Sequence, residues 1–278
     1  MLSSGEAPTR HQRPHRLALY IVIAYGISWL IEIPLGLRAQ GLLSVDVPFS
    51  LHYLAAFGPF IAGLVATWRE GGADGLKSLR ARTIQWRVAP VWWLVALSPV
   101  LVLLAIAAVM RLLGGTWLDV RMLGRVDFLP DLGIAAVALW LATYGFGEEV
   151  GWRGYLLPRL QRDRSAWRAT VLLWIIWAIW HVPSFFYLHT VSGPGTLAGF
   201  LLGVLAGAVL LTWLYNSSGG SILIVAVWHG LFDYVTACTE CKSGLIAAIL
   251  STVVMIWAAV VLPLFRLEHL SRRTRQVI

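Results

Sequence analysis

Four carboxylates and two imidazoles stand in stretches otherwise apolar enough to cross a membrane: Glu32, Glu148, Glu149, Asp233, His181 and His229. These side chain types can take, give or hold a proton, so together they allow hydrolytic chemistry by an activated water. The spacing within each stretch pairs them. Glu149 and Arg153 are four residues apart, as are His229 and Asp233, which on a helix puts each pair on one face. Asp233 can there accept an imidazole N–H, and Arg153 can balance Glu149 while Glu148 lies on an adjoining face.

The same residues are costly where they are. An ionisable group at mid-bilayer is unfavourable by about 2.5–3.5 kcal/mol, so several uncompensated ones cost on the order of 10 kcal/mol, comparable with a domain's net stability. They must face one another or water. Each alone has an ordinary structural reading, as a satisfied helix histidine or a surface Glu–Arg pair. The set Glu148/Glu149/Arg153, His181 and His229/Asp233 points to a common site. Glu32, about 22 Å along the first apolar stretch at 1.5 Å per residue, is read as a snorkelling or packing residue instead. His189 and His269, in a loop and the tail, are read as structural.

The elements that must position this set are membrane helices. The chain has 278 residues, 58% hydrophobic and only 13% charged, whereas soluble domains carry roughly 25% charged residues. Too few charges remain to cover a water-facing surface, and a disordered chain is excluded for the same reason. Apolar stretches long enough for a helix to span about 30 Å of hydrocarbon occur near 17–37, 50–68, 91–113, 132–148, 169–188, 196–215, 221–236 and 244–265. The fourth can continue to Pro158. The fold class expected is an all-α integral membrane protein of about eight transmembrane helices in one bundle. Residues 1–16 form a flexible basic tail, 17–265 the membrane domain with its core at about 132–236, and 266–278 a second basic tail.

The net charge of +8 has its explanation in topology. With eight spans, one side holds residues 1–16, 69–90, 149–168 and 266–278, which carry 17 of the 22 Lys and Arg. The other side has Arg38, Arg111, Arg121, Arg125 and Lys242. The positive-inside rule then puts both termini in the cytoplasm, with the basic loops against lipid head groups. No basic stripe with interleaved aromatics points to nucleic acid. At 1.5 Å per residue, His181 lies about 17 Å beyond Thr170, and His229 and Asp233 about 12 and 18 Å beyond Ser221. With Glu148 and Glu149 in the inner part of the fourth span, all these depths fit one polar cavity open to the cytoplasm.

Residues Gly147-Glu148-Glu149-Val150-Gly151-Trp152-Arg153-Gly154 resemble the EExxxR motif of the CPBP family, which groups CAAX prenyl protease 2, lysostaphin-resistance-like and abortive-infection membrane proteins. Trp177-Ala178-Ile179-Trp180-His181 is similar to its FxxxH motif, with Trp for Phe. His229-Gly230-Leu231-Phe232-Asp233 matches its histidine followed four residues later by Asn or Asp. EExxxR alone is a weak signal; three motifs in order over about 145–235 are a strong one. The resemblance implies an eight-helix intramembrane protease acting on a membrane-associated protein or peptide. In it Glu148 and His181 activate a water, His229 and Asp233 stabilise the oxyanion, and Glu149 and Arg153 brace the site. No serine or cysteine stands in a comparable constellation.

A divalent metal such as zinc is left open. The HExxH spacing is missing, yet Glu148, His181 and His229 could supply a three-ligand site, and the family is described as metallo- and as glutamate-dependent. Two other classes share the residues: a non-proteolytic partner, such as a bacteriocin-immunity or scaffold protein, and an ion-coupled carrier. No inverted repeat is evident, which counts against the carrier. The expected location is a prokaryotic plasma membrane, and one chain can house the whole site. Trp174, Trp177 and Trp180 are read as core packing, Gly199, Gly203 and Gly207 as a stripe for a close helix neighbour, and Cys238/Cys241 as outer-loop structure.

Overall fold

The computed structural model describes residues 12–115, 117, 123, 132, 135–188, 193–237 and 245–278. Among these it places eight helical segments: α1 (Gln12–Ala39), α2 (Phe49–Thr83), α3 (Pro90–Leu112), α4 (136–160), α5 (Ala166–Trp180), α6 (Pro194–Ser217), α7 (Ile222–Thr236) and α8 (Leu245–Leu264). They follow the eight apolar stretches, and the fourth does continue past Glu148. Five are long and apolar enough to cross a membrane; α7 and the described part of α8 are apolar but shorter. The chain is thus an all-α, multi-helix membrane protein. Arg121, Arg125, His189, Cys238, Cys241 and Lys242 lie outside the described residues.

Local chemistry sets the helix ends. Pro90 and Pro194 open α3 and α6, where a missing N–H costs no intrahelical bond. Ser165 and Ser221 cap α5 and α7, each accepting a backbone N–H at 3.3 Å, from Arg168 and Ile224 respectively. Between α6 and α7, Gly219 and Gly220 take φ of 75° and 83°, a left-handed turn that a side chain would strain.

Helix α4 lies between α2 and α7, and glycines let it come close. A Cβ on Gly145 would stand 2.7 Å from the carbonyl oxygen of Ala226 in α7, and one on Gly151 only 2.3 Å from that of Pro59 in α2. Both neighbours are backbone, so neither can swing aside. Gly151→Ala is therefore expected to force the helices apart and destabilise the protein by about 1–3 kcal/mol or more. Thermal unfolding in detergent measures it, and an unchanged midpoint would contradict this packing.

Polar ties fix the ends of the bundle. Arg159 donates to Glu70 Oε2 from Nε at 2.8 Å and Nη2 at 2.6 Å, and the Tyr155 hydroxyl donates to Oε1 at 2.5 Å, joining α4 to α2. The basic segment after α8 folds back. Ala166 and Trp167 N–H donate to the carbonyls of Glu268 and Leu267, Asn216 Nδ2 to that of His269, and Leu270 is fully buried. The glycine stripe of α6 does less than its spacing suggests. Gly207 faces Trp177 at 3.8 Å, but the Cβ positions of Gly199 and Gly203 meet open space.

Candidate active site

Two π-helical turns, 141–148 and 152–156, flank Glu149–Gly151 in α4. Such wide turns in helices are frequent at functional sites. Here they present Glu148, Glu149, Trp152 and Arg153 to the interior together; all four are at most 2% exposed.

Glu149 is the hub of charge. Its Oε1 accepts from Arg153 Nη1 at 2.7 Å and faces His229 Nδ1 at 2.8 Å. The second His229 nitrogen, Nε2, lies 3.4 Å from Asp233 Oδ2. An ionised Glu149 only accepts hydrogen bonds, so His229 donates to it from Nδ1; the Nε2–Asp233 approach is an ion-pair distance, made when the ring carries its second proton. Arg153 lies over the Trp177 ring at 4.8 Å, a cation–π contact strengthened by burial. Both i,i+4 pairs expected from the spacing form. The Glu149–His229 link, across 80 residues, is not readable from spacing.

Glu148 is held by indoles. Its Oε2 accepts from Trp177 Nε1 at 2.9 Å and Trp152 Nε1 at 3.2 Å, and Oε1 takes part in neither bond. Trp177, read from sequence as packing, also orients Glu148; the signal available for it was its place at the head of the Trp177–His181 motif. Trp174 does serve packing, donating to the Leu201 carbonyl.

His181 caps the end of α5, beside Trp177, with ring centroids 5.7 Å apart. Its Nδ1 lies 2.7 Å from the Trp177 carbonyl oxygen, an acceptor, so Nδ1 carries the proton and the lone pair of the neutral ring is on Nε2. The α-helix ends at Trp180, because Ser184 N–H turns to the His181 carbonyl, and the Trp180 carbonyl accepts from Trp29 Nε1 at 3.0 Å. The six expected site residues thus gather from α4, α5 and α7 around Trp177. His181 and Asp233 are the more exposed members, Asp233 with 26% of its side chain accessible.

Of the two roles expected for Glu32, snorkelling and packing, the structure leaves packing. It is 2% exposed, which rules out snorkelling. Its Oε1 accepts from the Tyr187 hydroxyl at 3.0 Å, and Tyr187 is 2.7 Å from His52 Nδ1, whose Nε2 is 2.8 Å from the Tyr144 hydroxyl. His52, Tyr144 and Tyr187 had no sequence signal as a group, since they lie on three separate elements.

The metal question can be set against this geometry. Among the described residues no group of three His, Cys, Asp or Glu side chains could hold a metal ion. His229 points both nitrogens at carboxylates, and Glu148 Oε2 is committed to two N–H donors. With its ring turned to Glu149 and Asp233, His229 does not fit a zinc site built on Glu148, His181 and His229.

The fold is a membrane helix bundle with a buried Glu/His/Asp cluster. A family model for type II CAAX prenyl endopeptidases, Rce1-like, matches residues 130–235, the stretch holding all six residues. The chain is also similar to CAAX prenyl protease 2 of Methanococcus maripaludis, 30% identical over 165 residues, covering 57% of this chain and 57% of the relative. It thus matches little more than half the length of that curated relative. The resemblance carried by the three motifs is borne out, and the matched segment is Rce1-like.

Proposed function

We propose that this chain is an intramembrane endopeptidase that hydrolyses a peptide bond of a membrane-associated protein with a water activated by Glu148. What carries the reading is one observation: residues of three separate motifs, on three helices, form a single buried cluster within the Rce1-like segment, two hydrogen-bonded sets that meet at the Trp177 ring. Glu148 removes a proton from water, and that oxygen bonds to the substrate carbonyl carbon. His181 holds the water through Nε2. The positive His229 offsets charge on the carbonyl oxygen, with Glu149, Asp233 and Arg153 keeping the ring charged and in place. As the C–N bond breaks, the proton on Glu148 passes to the departing nitrogen.

The relative's name concerns prenylated CAAX proteins; for this chain the substrate proposed is the broader class, a membrane-associated protein. The termini and the mouth of the site are read as cytoplasmic, in a prokaryotic plasma membrane; the basic loops support the cytoplasmic side by the positive-inside rule. The test compares protein termini in host membranes expressing the wild type or Glu148→Gln at equal levels. New termini confined to the wild type support a protease and name its substrates. Identical termini, with both proteins folded and abundant, favour a non-proteolytic partner. Cleavage is further expected to survive exhaustive chelation of divalent metals. Loss on chelation that zinc restores would make Glu148, His181 or His229 ligands.

A further inference from the structure

Where α5 starts and α8 stops, the bundle holds a cavity of about 720 Å³ that the proposed active site does not use. One wall comes from Asp163, Arg164, Ser165, Trp167 and Arg168. The other belongs to the segment that folds back after α8, with Leu267, Glu268 and Arg275.

The second wall is fixed from behind. Gln161 and Asn216 are fully buried and exchange hydrogen bonds, Gln161 Nε2 to Asn216 Oδ1 at 3.1 Å and Asn216 Nδ2 to Gln161 Oε1 at 2.8 Å. The same amides grip the backbone of the returning segment. Asn216 Nδ2 donates to the His269 carbonyl and Gln161 Nε2 to that of Gln276, each at 2.8 Å. Arg275 Nε donates to the Gln161 carbonyl at 2.7 Å, and its guanidinium pairs with Glu268. A ligand therefore finds the wall already ordered.

What the cavity offers is side-chain donors. The backbone N–H groups of the first turn of α5 are taken: Ala166 and Trp167 donate to the Glu268 and Leu267 carbonyls, Arg168 to Ser165 Oγ and Ala169 to the Ser165 carbonyl. Among the described residues, neither the Arg164 nor the Arg168 guanidinium has a partner, and the hydrogen of the Ser165 hydroxyl has no acceptor. Three arginines against two carboxylates leave the lining with one positive charge. A phosphodiester carries one negative charge, and the planar guanidinium matches its oxygens.

Depth selects where that phosphate comes from. Helix α5 is long and apolar enough to cross a membrane, and α8 is apolar. A cavity at the start of one and just past the end of the other lies at the level of the lipid head groups. Trp167 stands there half-buried, an amphipathic ring of the kind that settles at this level. Leu267 in the lining and Leu264 one turn earlier are 48% and 69% exposed, apolar surface that acyl chains can cover and a free anion cannot.

We infer that this cavity binds the head group of an anionic phospholipid, its phosphate held by Arg164, Arg168 and Ser165 and its acyl chains along Leu264 and Leu267. The bound lipid clamps the start of α5 to the returning segment and so stabilises the folded bundle. The general attraction of basic loops to anionic lipid needs no particular arginine; this site needs two. It holds whether or not the chain cleaves peptides.

Thermal unfolding of the full chain in a neutral detergent tests the site. Phosphatidylglycerol is expected to raise the midpoint by about 2–4 °C. Phosphatidylcholine, or sodium phosphate at the same concentration and ionic strength, should not. Arg164→Gln/Arg168→Gln should lose the shift. Arg272→Gln/Arg273→Gln removes as much charge from exposed arginines of the returning segment that do not line the cavity, and should keep it. No shift in the wild type, or a shift that survives Arg164→Gln/Arg168→Gln, overturns the inference. So does an equal shift with sodium phosphate, which makes the cavity a site for a free anion, or an equal one with phosphatidylcholine. An equal loss in both double variants overturns it too, leaving attraction by net charge alone. If Arg164→Gln/Arg168→Gln does not fold, native mass spectrometry of the wild type decides: one retained phosphatidylglycerol supports the site, and none overturns it.

Discussion

Glu148→Gln is expected to leave the protein folded while lowering hydrolysis by about 10²–10⁴-fold, the usual contribution of a general base. The amide is nearly the same shape as the carboxylate. Its oxygen can still accept from Trp152 and Trp177 Nε1, but its nitrogen cannot take a proton from water. Charge balance favours folding too. The wild-type cluster sets three carboxylates, Glu148, Glu149 and Asp233, against two cations, Arg153 and His229, so removing one negative charge makes it neutral. Thermal unfolding in detergent should therefore show a midpoint equal to or above that of the wild type. Retained cleavage would remove Glu148 from the chemistry, and a collapsed midpoint would make it a structural residue.

Arg153→Met should do the opposite, destroying the fold before the chemistry can be assayed. Arg153 is fully buried, binds Glu149 at 2.7 Å and lies over Trp177. Without it, three carboxylates face only His229. Breaking a buried ion pair by removing one partner costs about 3–5 kcal/mol, much of it the stranded charge. The folded fraction recovered on size exclusion should fall accordingly. Arg153→Lys should rescue little, since an ammonium lacks the planar group that stacks on the indole. Pairing Arg153→Met with Glu149→Gln removes both charges and should restore part of the lost stability, a coupling that a double-mutant cycle reads directly. If the single substitution is harmless, the pair is not what holds α4 to α7 through His229.

Much of this was legible without a structure because helices are periodic. Hydropathy marked the eight segments, since burying apolar side chains in lipid needs about 20 of them in a row. The 3.6-residue turn puts i and i+4 on one face, so Glu149–Arg153 and His229–Asp233 could be read as pairs, and both form. The membrane cost of lone charges then singled out five of the six residues that come together, and the i,i+4 rule added Arg153. At Glu32 the same reasoning left snorkelling and packing both open, and burial decides for packing. Its partners lie on other elements, and a carboxylate without a neighbour in its own helix reads as one that reaches for the interface.

What a chain's own periodicity leaves open is the rotation and approach of each helix about its neighbours. That decides Glu149 with His229, Trp177 with Glu148, and the line from Glu32 through Tyr187 and His52 to Tyr144. It also leaves Gly199 and Gly203 unpacked, though their spacing matches that of a helix-packing stripe. Composition and spacing determined that this protein is a helical membrane bundle and which side chains could do chemistry in it. Only the tertiary structure decided which of them share hydrogen bonds, because interhelical contacts follow from backbone approach at positions such as Gly145 and Gly151, which no single helix encodes.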